Sequence, residues 1–385
     1  MTNSIRISAV NSSDEDKRRA DFLCTGSHDE EVINRAIGAL VHGGALYLSD
    51  GDYYIDAFPY EDNTAVFFGE NEDRARVIDM KGETKSKSYN SAYGAVIHVT
   101  ETAMKSLNGE EGRVFGGTRH KPDAPPDFYT YTYLNDATFE NFRVTLCNPF
   151  YPVIAFDCLH FGSCYFKRIG IFTDRIIHDR MTHQKPQTPV KGCIGIRSSG
   201  GACDGDVGIG YDTVAVSGLH TGFMMVGQDY TIFQNCFACR CCYGYEFHNS
   251  AKTITLFNCS DEGNTHLPRF FGSGSITCLD FAIERFNAAF IPDDPDGDDK
   301  YAAYEEIPGA WHGEITYNLE GGAFGLKNFW EKGNGMNIRT VNLRHDRISR
   351  PASPEYLETY FDVKSNRFLT WTGEQWADAL GKPVE

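Results

Sequence analysis

Short stretches in which every second residue is apolar recur through the middle of the chain. Residues 230–236, 253–259 and 275–281 share this alternation. Near the end of each stretch, Asn235, Asn258 and Asp280 occupy the same aligned position, at separations of 23 and 22 residues. Each unit is too short to bury an apolar face alone. Stacking on its neighbours gives it a continuous core, with rungs about 4.8 Å apart. The period predicts a solenoid of parallel strands.

Flanking segments extend the repeat. Gly222-Phe223 corresponds to Gly244-Tyr245, and residues 138–144 and 163–169 fit the same unit more loosely. A β-sandwich would also contain short alternating strands, but it would not demand a period near 22 residues. The sequence therefore favours the solenoid over the sandwich.

A helix followed by two short strands is predicted near the N-terminus. Ser27 or Asp29 is placed to cap a helix through about Leu40. Gly43-Gly44 ends it, and alternating strands follow at about 43–48 and 51–55. One face of this helix is apolar and consists of Val32, Ile33, Ala36, Ile37 and Leu40.

This order of short helix, Gly-Gly, strand, Asp-Gly turn and strand resembles the N-terminal part of right-handed parallel β-helix proteins. That superfamily includes pectate-lyase-like enzymes and phage tailspikes. The resemblance implies that the helix covers the open end of the stack and shields its unpaired strand edge. The expected fold class is all-β: a right-handed, single-stranded parallel β-helix with an N-terminal capping helix and a small C-terminal β-meander.

The C-terminal residues change character. Arg350-Pro351, Tyr360-Phe361-Asp362, Trp371 and Trp376 resemble a C-terminal element of phage and prophage tail proteins, although 367–370 depart from its usual residues. The resemblance implies a homotrimer in a virion tail. The expected domains are an N-terminal segment (1–19), the capping helix with the strands after it (20–56), the β-helix (57–345) with long loops at 101–132, 175–192 and 291–310, and the C-terminal β element (346–385).

Charge narrows the classes of partner. Fifty-three acidic against 36 basic residues give a net charge of −17, which repels nucleic acid and anionic lipid but not a neutral polysaccharide. Aromatic residues make up 13% of the chain and suit both strands and sugar contacts. No apolar run is long enough to span a membrane. The first residues do not resemble a signal peptide, so we expect synthesis in the cytoplasm without membrane insertion.

Twelve cysteines are present, and Cys236, Cys239, Cys241 and Cys242 fall within seven residues. In a reducing compartment they are expected to serve as small core side chains. A zinc site is the alternative, because Cys236 and Cys239 have the spacing of zinc ligands. No second pair with that spacing follows, so no metal is expected.

Aligning the sequence repeats with one another identifies the candidate catalytic residues. The sequence motifs of pectin-cleaving β-helix hydrolases are absent, so the resemblance implies a fold but no catalytic residue. Aligning the repeats places Cys239, Glu262 and Glu284 in one column, with Arg240 and Arg285 beside it. If they point outward, two carboxyls lie about 5 Å apart, as in a retaining glycosidase. The alternative is a solvated acidic face paired with these arginines.

Other residues complete the set of candidates. Asp261 is a third candidate acid, Arg285 and Arg240 are candidate substrate ligands, and Trp311 and Tyr131 are candidate sugar-stacking residues. Less favoured groups are the turn aspartates Asp204, Asp206 and Asp212, the loop histidines His178, His183 and His266, and the acidic run 293–299. That run offers the hard oxygen ligands calcium prefers, but it departs from the EF-hand pattern, so we expect a solvated loop and no cofactor.

These observations predict a tailspike-like protein that recognises a bacterial surface polysaccharide or oligosaccharide and cleaves it with paired carboxylates. One alternative is a phage adhesin that binds the glycan without cleaving it. Another is a free-standing bacterial glycan lyase, glycoside hydrolase or transferase on the same fold. The sequence does not separate these three functions.

Overall fold

The computed structural model contains long stacks of parallel strands. It describes residues 4–68, 77–84, 94–116, 134–159, 161–173, 189–199, 208–226, 229–248, 251–262, 264, 268–270, 274–284, 311–320, 336–344, 359–362, 367–378 and 382–383. Strands that follow one another in the chain lie on three faces, which we name A, B and C. Each pairs in parallel with the strand one coil earlier and one coil later. The predicted parallel β-helix is confirmed.

Face A begins the stack. Its strands are Ser4–Ser8, Gly44–Leu48, Ile78–Gly82, Thr138–Glu140, Tyr165–Lys167, Gly210–Asp212, Asp229–Gln234 and Ala251–Phe257. Face B consists of Gly51–Ile55, Ala95–Val99, Phe142–Leu146, Gly170–Thr173, Ala215–Ser217, Phe237–Cys239 and Ser260–Glu262.

Face C consists of Thr64–Phe67, Gly112–Gly116, Val153–Leu159, Ile194–Ser199, Thr221–Val226, Tyr243–His248 and Arg269–Phe270. Three longer strands continue faces A and B together: Gly274–Glu284, Trp311–Glu320 and Met336–Arg344. A short parallel pair outside these faces joins Leu134–Asn135 to Phe161–Gly162.

The N-terminal helix forms as predicted. Helix α1 (Asp14–Arg19) and strand Phe22–Leu23 precede helix α2 (Asp29–Ala39), whose predicted apolar face is buried. Its N-cap is His28, neither Ser27 nor Asp29, because the Asp29 carboxylate instead accepts hydrogen bonds from the backbone N–H groups of Thr25, Gly26 and Tyr54. Helix α2 is thereby tied to the first strand of face B, Gly51–Ile55.

Two stacks of aromatic rings fill the core. On face A, Phe139, Phe166, Tyr211 and Phe233 stack on successive rungs with ring centroids 4.9, 5.3 and 4.5 Å apart. Face C contributes rings that meet this stack edge to face, as Phe156 does against Phe166 at 5.2 Å and 87°. Both arrangements are favourable for aromatic quadrupoles. The distance between stacked rings therefore matches the distance between neighbouring strands, about 4.8 Å.

The turn between faces A and B repeats along the stack. Asn141, Arg168, Thr213, Asn235 and Asn258 all have positive φ, between 51° and 63°. Asparagine tolerates this left-handed conformation better than most residues. The Asn258 amide also donates to the Asn235 amide oxygen one rung away, at 2.7 Å. The predicted Asn235–Asn258 column is confirmed and marks this turn.

Outward columns on faces A and C alternate in charge. On face A, Lys81, Glu140, Lys167 and Asp212 are direct partners on successive strands. On face C, Asp157 and Arg197 are such partners, and Arg113 reaches the same carboxylate. Opposite charges placed directly across a strand pair stabilise a sheet, and like charges destabilise it.

Asp157 is the centre of a four-residue ion cluster. Its buried carboxylate accepts from Arg113 Nε at 2.6 Å and from Arg197 at 2.8 and 3.0 Å. Glu111 accepts from both arginines at 2.9 to 3.1 Å. The cluster joins three coils whose residues are far apart in sequence.

The C-terminal residues form a separate three-stranded antiparallel sheet of Thr359–Asp362, Arg367–Trp371 and Trp376–Asp378, in agreement with the predicted meander. Leu369 and Trp376 are buried there against Trp371.

Eleven cysteines lie in the described part of the chain, and all are free. Most are buried, and burial raises the pKa of the Cys193 thiol to about 12. Cys236 and Cys239, the pair with zinc-ligand spacing, differ in position: Cys236 is buried near the Tyr211 carbonyl, and Cys239 faces outward near Ser217. In the described residues, no three His, Cys, Asp or Glu side chains are grouped to hold a metal ion.

Among the described helices, none is long and apolar enough to cross a membrane.

We expect Asp157→Asn to lower the free energy of unfolding by about 3 kcal/mol, because it removes the buried carboxylate charge and leaves two half-buried guanidinium groups with one carboxylate. Chemical denaturation measures this change. The control is Glu15→Gln in the exposed Glu15–Arg19 pair at 3.9 Å, which should change stability by no more than about 0.5 kcal/mol. Equal effects of the two substitutions would contradict the role of the cluster.

His28 gives a pH-dependent contribution. Its hydrogen bond to Glu30 raises the pKa of the imidazole, and burial raises the pKa of Glu30. Both groups hold protons more tightly in the folded protein. Their contribution is therefore full below the unfolded values of about 4.3 and 6.5, and it is lost as the pH rises through the folded values.

We expect His28→Asn, which keeps a residue that tolerates positive φ, to lower the melting temperature more at pH 6 than at pH 8. Melting curves across this range measure the difference. His42→Asn, outside this contact, is the control. A constant difference between the wild type and His28→Asn would refute the linkage.

Candidate functional site

Three glutamates occupy one register column on face B. Glu262 and Glu284 are direct partners on neighbouring strands, and Glu284 in turn pairs with Glu320. We name these three residues the glutamate column. Cys239 precedes it and Arg344 follows it in the same register. The predicted alignment of Cys239, Glu262 and Glu284 is confirmed at the backbone.

Glu262 lies at the surface. Its side chain is half-buried and accepts a hydrogen bond from the Ser260 hydroxyl at 2.7 Å. One rung earlier, Cys239 is also half-buried, and burial together with the charge of Glu262 raises the pKa of its thiol. This position therefore faces outward on both rungs.

The glutamate column differs from the charged outward columns of faces A and C. Elsewhere Lys81, Glu140, Lys167 and Asp212 alternate in sign, whereas here three residues of the same sign follow one another. At about 4.8 Å between rungs, like charges repel by roughly 3 kcal/mol per pair at an effective dielectric constant of 20.

Asp261 lies on the other side of the sheet. It shares the inward column with Val216 and Ala238, and it is 0% exposed. The Asn264 side chain donates to its carboxylate and to the Ala238 carbonyl, and accepts from the Cys241 N–H. Because successive residues of a strand point to opposite faces, Asp261 is separated from the surface that Glu262 occupies.

Arg240 is the one predicted substrate ligand whose side chain the structure describes. It is exposed, and its backbone N–H donates to the Glu262 carbonyl at 3.1 Å, so it lies on the turn that follows face B. The backbone of Trp311 pairs with Gly274 at the start of a strand on face A, away from the glutamate column. Asp212 belongs to the charged column of face A, where it opposes Lys167.

The remaining predicted residues lie outside the described part of the chain. These are Arg285, Tyr131, Asp204, Asp206, His178, His183, His266 and the run 293–299.

Sequence reasoning missed Glu320 and Arg344. The period of 22 to 23 residues ends after Glu284, and 36 residues separate Glu284 from Glu320. The signal available was the alternation in 315–320, which ends on an acidic residue as 278–284 does.

Two other groups combine histidine with carboxylates. His98 Nε2 lies 2.8 Å from Asp52, and its ring stacks on Tyr54 at 5.2 Å. On face C, Thr221 donates to the buried Glu246, whose second oxygen lies 3.1 Å from His248 Nε2. Each group links neighbouring coils through hydrogen bonds. Neither places two carboxylates on adjacent rungs.

Comparisons with known proteins give remote similarities. No protein-family model and no curated protein matches the chain. Among solved structures, ORF18 of Geobacillus virus E2 is 12% identical, with a TM-score of 0.45, and the match covers 94% of this chain and 73% of that one. Tailspike protein 3 of bacteriophage CBA120 is 9% identical, with a TM-score of 0.15, covering 92% and 67%. At these values neither similarity assigns a function.

We expect Asn264→Ala to lower the free energy of unfolding by about 2 kcal/mol or more, because it removes a donor to the buried Asp261 carboxylate and an acceptor for the Cys241 N–H. Thermal or chemical unfolding measures the loss. Gln234→Ala, at an exposed position of face A, is the control and should be nearly neutral. If Asn264→Ala unfolds like the control, Asp261 is not held as described.

Proposed function

We propose that this protein is a phage- or prophage-derived, tail-associated protein that recognises a bacterial surface glycan and cleaves it with two carboxylates of the glutamate column. The observation that carries the proposal is the run of like charges on consecutive rungs of face B. Such a run costs stability, and the charged outward columns of faces A and C avoid that cost by alternating in sign. Costs of this kind are retained at functional sites.

Rung spacing suits a retaining glycosidase. In that mechanism the two carboxyl groups lie about 5 to 5.5 Å apart, close to the spacing between neighbouring strands of one column. Glu262 and Glu284 are the first pair to test, and Glu284 and Glu320 are the second. Asp261 is left out of the pair because it is buried in the inward column.

The proposed reaction has two steps. In the first, one carboxylate attacks the anomeric carbon while the protonated carboxyl gives its proton to the leaving oxygen, so the glycosidic bond breaks and a glycosyl ester forms. In the second, the deprotonated partner takes a proton from water, whose oxygen attacks the anomeric carbon and releases the first carboxylate.

The link to phage tails comes from the C-terminal sequence. Arg350-Pro351, Tyr360-Phe361-Asp362, Trp371 and Trp376 resemble a tail-protein element, and strands Thr359–Asp362, Arg367–Trp371 and Trp376–Asp378 form the antiparallel sheet expected for it. A net charge of −17 disfavours nucleic acid as the ligand, and a neutral glycan is compatible with it.

We expect Glu262→Gln and Glu284→Gln each to lower the rate of glycan cleavage by about 100-fold or more, the range for loss of a general acid, base or nucleophile. A panel of bacterial surface glycans, read by reducing ends and product mass, identifies the substrate and measures the rate. Glu15→Gln on helix α1 is the control and should retain the wild-type rate. Glu320→Gln tests the second pair.

Other outcomes distinguish the alternatives. If Glu262→Gln and Glu284→Gln both keep the full rate, this pair is wrong. Glycan binding without new reducing ends would identify an adhesin. An unsaturated product, detected by its absorbance, would identify a lyase.

A further inference from the structure

One of the two carboxylates proposed for cleavage is held by a hydroxyl group of its own strand. Ser260 Oγ–H donates to Glu262 Oε1 at 2.7 Å, and both residues belong to strand Ser260–Glu262. Both side chains are half-buried and point outward, because Asp261 between them is buried and points inward. The hydrogen bond fixes the orientation of the Glu262 carboxylate and engages one of its two oxygens.

No described cation pairs with this carboxylate. Among the residues that the structure describes, Glu262 has the Ser260 hydroxyl as its hydrogen-bond partner and forms no ion pair. Glu140, an outward acid of face A, instead pairs with Arg168. A carboxylate paired with a cation is the weaker nucleophile, because part of its negative charge is neutralised. Glu262 is oriented by a neutral donor and is not weakened in this way.

The side chains that precede Glu262 on its face are neutral as well. Cys239, one rung earlier, donates its thiol hydrogen to Ser217 Oγ at 3.2 Å. Burial raises the pKa of this thiol, so the group stays protonated and uncharged. Glu262 therefore has neutral groups on one side in its column and Glu284 on the other.

The neighbouring strand lacks the hydroxyl. Ser260 pairs with Ala282 in the same register in which Glu262 pairs with Glu284. Ala282 has no group that donates a hydrogen bond from its side chain, so it cannot hold Glu284 as Ser260 holds Glu262. The two glutamates of the pair thus differ in their support, and a retaining mechanism gives its two carboxyl groups different roles.

We propose that Glu262 is the nucleophile of this site, that Glu284 is its acid–base residue and that Ser260 is a positioning residue. The inference rests on the proposed function. A nucleophile must meet the anomeric carbon at a set distance and angle, and a glutamate side chain has several free torsions. Holding Oε1 of Glu262 restricts these torsions and leaves Oε2 to attack.

These roles fix the direction of both steps. In the first, Oε2 of Glu262 forms a bond to the anomeric carbon, the glycosidic C–O bond breaks, and the leaving oxygen takes the proton of Glu284. In the second, Glu284 takes a proton from water, the water oxygen bonds to the anomeric carbon, and the Glu262 carboxylate leaves.

Rescue by azide distinguishes the two roles. The substrate is an aryl glycoside of the oligosaccharide that the wild type releases, because its leaving group needs no proton. Without the nucleophile one displacement remains, so we expect Glu262→Ala with sodium azide to yield a glycosyl azide of inverted anomeric configuration. In Glu284→Ala the glycosyl ester still forms and azide displaces it, so the configuration is retained. Nuclear magnetic resonance of the products measures the configuration.

Two substitutions of Ser260 test its positioning role. We expect Ser260→Ala to lower kcat about tenfold or more with KM unchanged, as for loss of a hydrogen bond to a charged group made in the transition state. Ser260→Thr keeps the hydroxyl and should stay near the wild-type kcat. Ser13→Ala is the matched control, since the Ser13 hydroxyl also donates to a carboxylate, Asp16 at 2.6 Å on helix α1. Melting curves show whether each variant is folded.

Other results would overturn the proposal. Inversion by Glu284→Ala with retention by Glu262→Ala would reverse the two roles and leave the proposed function intact. A wild type that inverts the configuration, or no glycosyl azide from either variant, would contradict the assignment of roles. A folded Ser260→Ala with the wild-type kcat would contradict the positioning role. A wild type that cleaves no glycan of the panel would contradict the proposed function and this inference together.

Discussion

Parallel hydrogen bonding between coils places each residue directly beside its counterpart one rung away, about 4.8 Å apart. Every position is consequently repeated down the stack, and the residues of one column must tolerate one another. Aromatic rings satisfy this constraint well, because stacked rings prefer the same spacing, and Phe139, Phe166, Tyr211 and Phe233 form such a run. The turn asparagines satisfy it by hydrogen bonding to each other.

Charges meet the same constraint in a different way. A charged residue repeated down a column repels its neighbours, so alternation in sign is the stable solution, as in the column from Lys81 to Asp212. Asp157 extends the principle across three coils by neutralising Arg113 and Arg197. The glutamate column departs from this solution, because Glu262, Glu284 and Glu320 have the same sign on consecutive strands.

Much of the architecture could be predicted because the period of 22 to 23 residues is visible where successive coils follow one another without insertions. The period near 22 placed Asn235 against Asn258 and Glu262 against Glu284, and local pattern gave helix α2. Elsewhere insertions between coils lengthen the period, so the remaining strand pairs could not be predicted from the repeat. Glu320 lies 36 residues beyond Glu284, and the strand Ser4–Ser8 joins the stack through partners about 40 residues later. Asp261 was expected as a third candidate acid, although strand alternation beside an outward Glu262 turns it inward, where Asn264 donates to its carboxylate.

The outward side chains of faces A and B both change in type toward the C-terminal end of the stack: those of face A become apolar and those of face B become acidic. The charged column of face A ends at Asp212 and continues as Gln234, Phe257 and Leu279. Around the turn, face B becomes acidic at Glu262 and Glu284. A segment of six residues, 257–262, thus carries an exposed apolar side chain on one face and an acid on the next. Phe257 and Glu262 thus lie on adjacent faces of one coil, separated by the turn at Asn258.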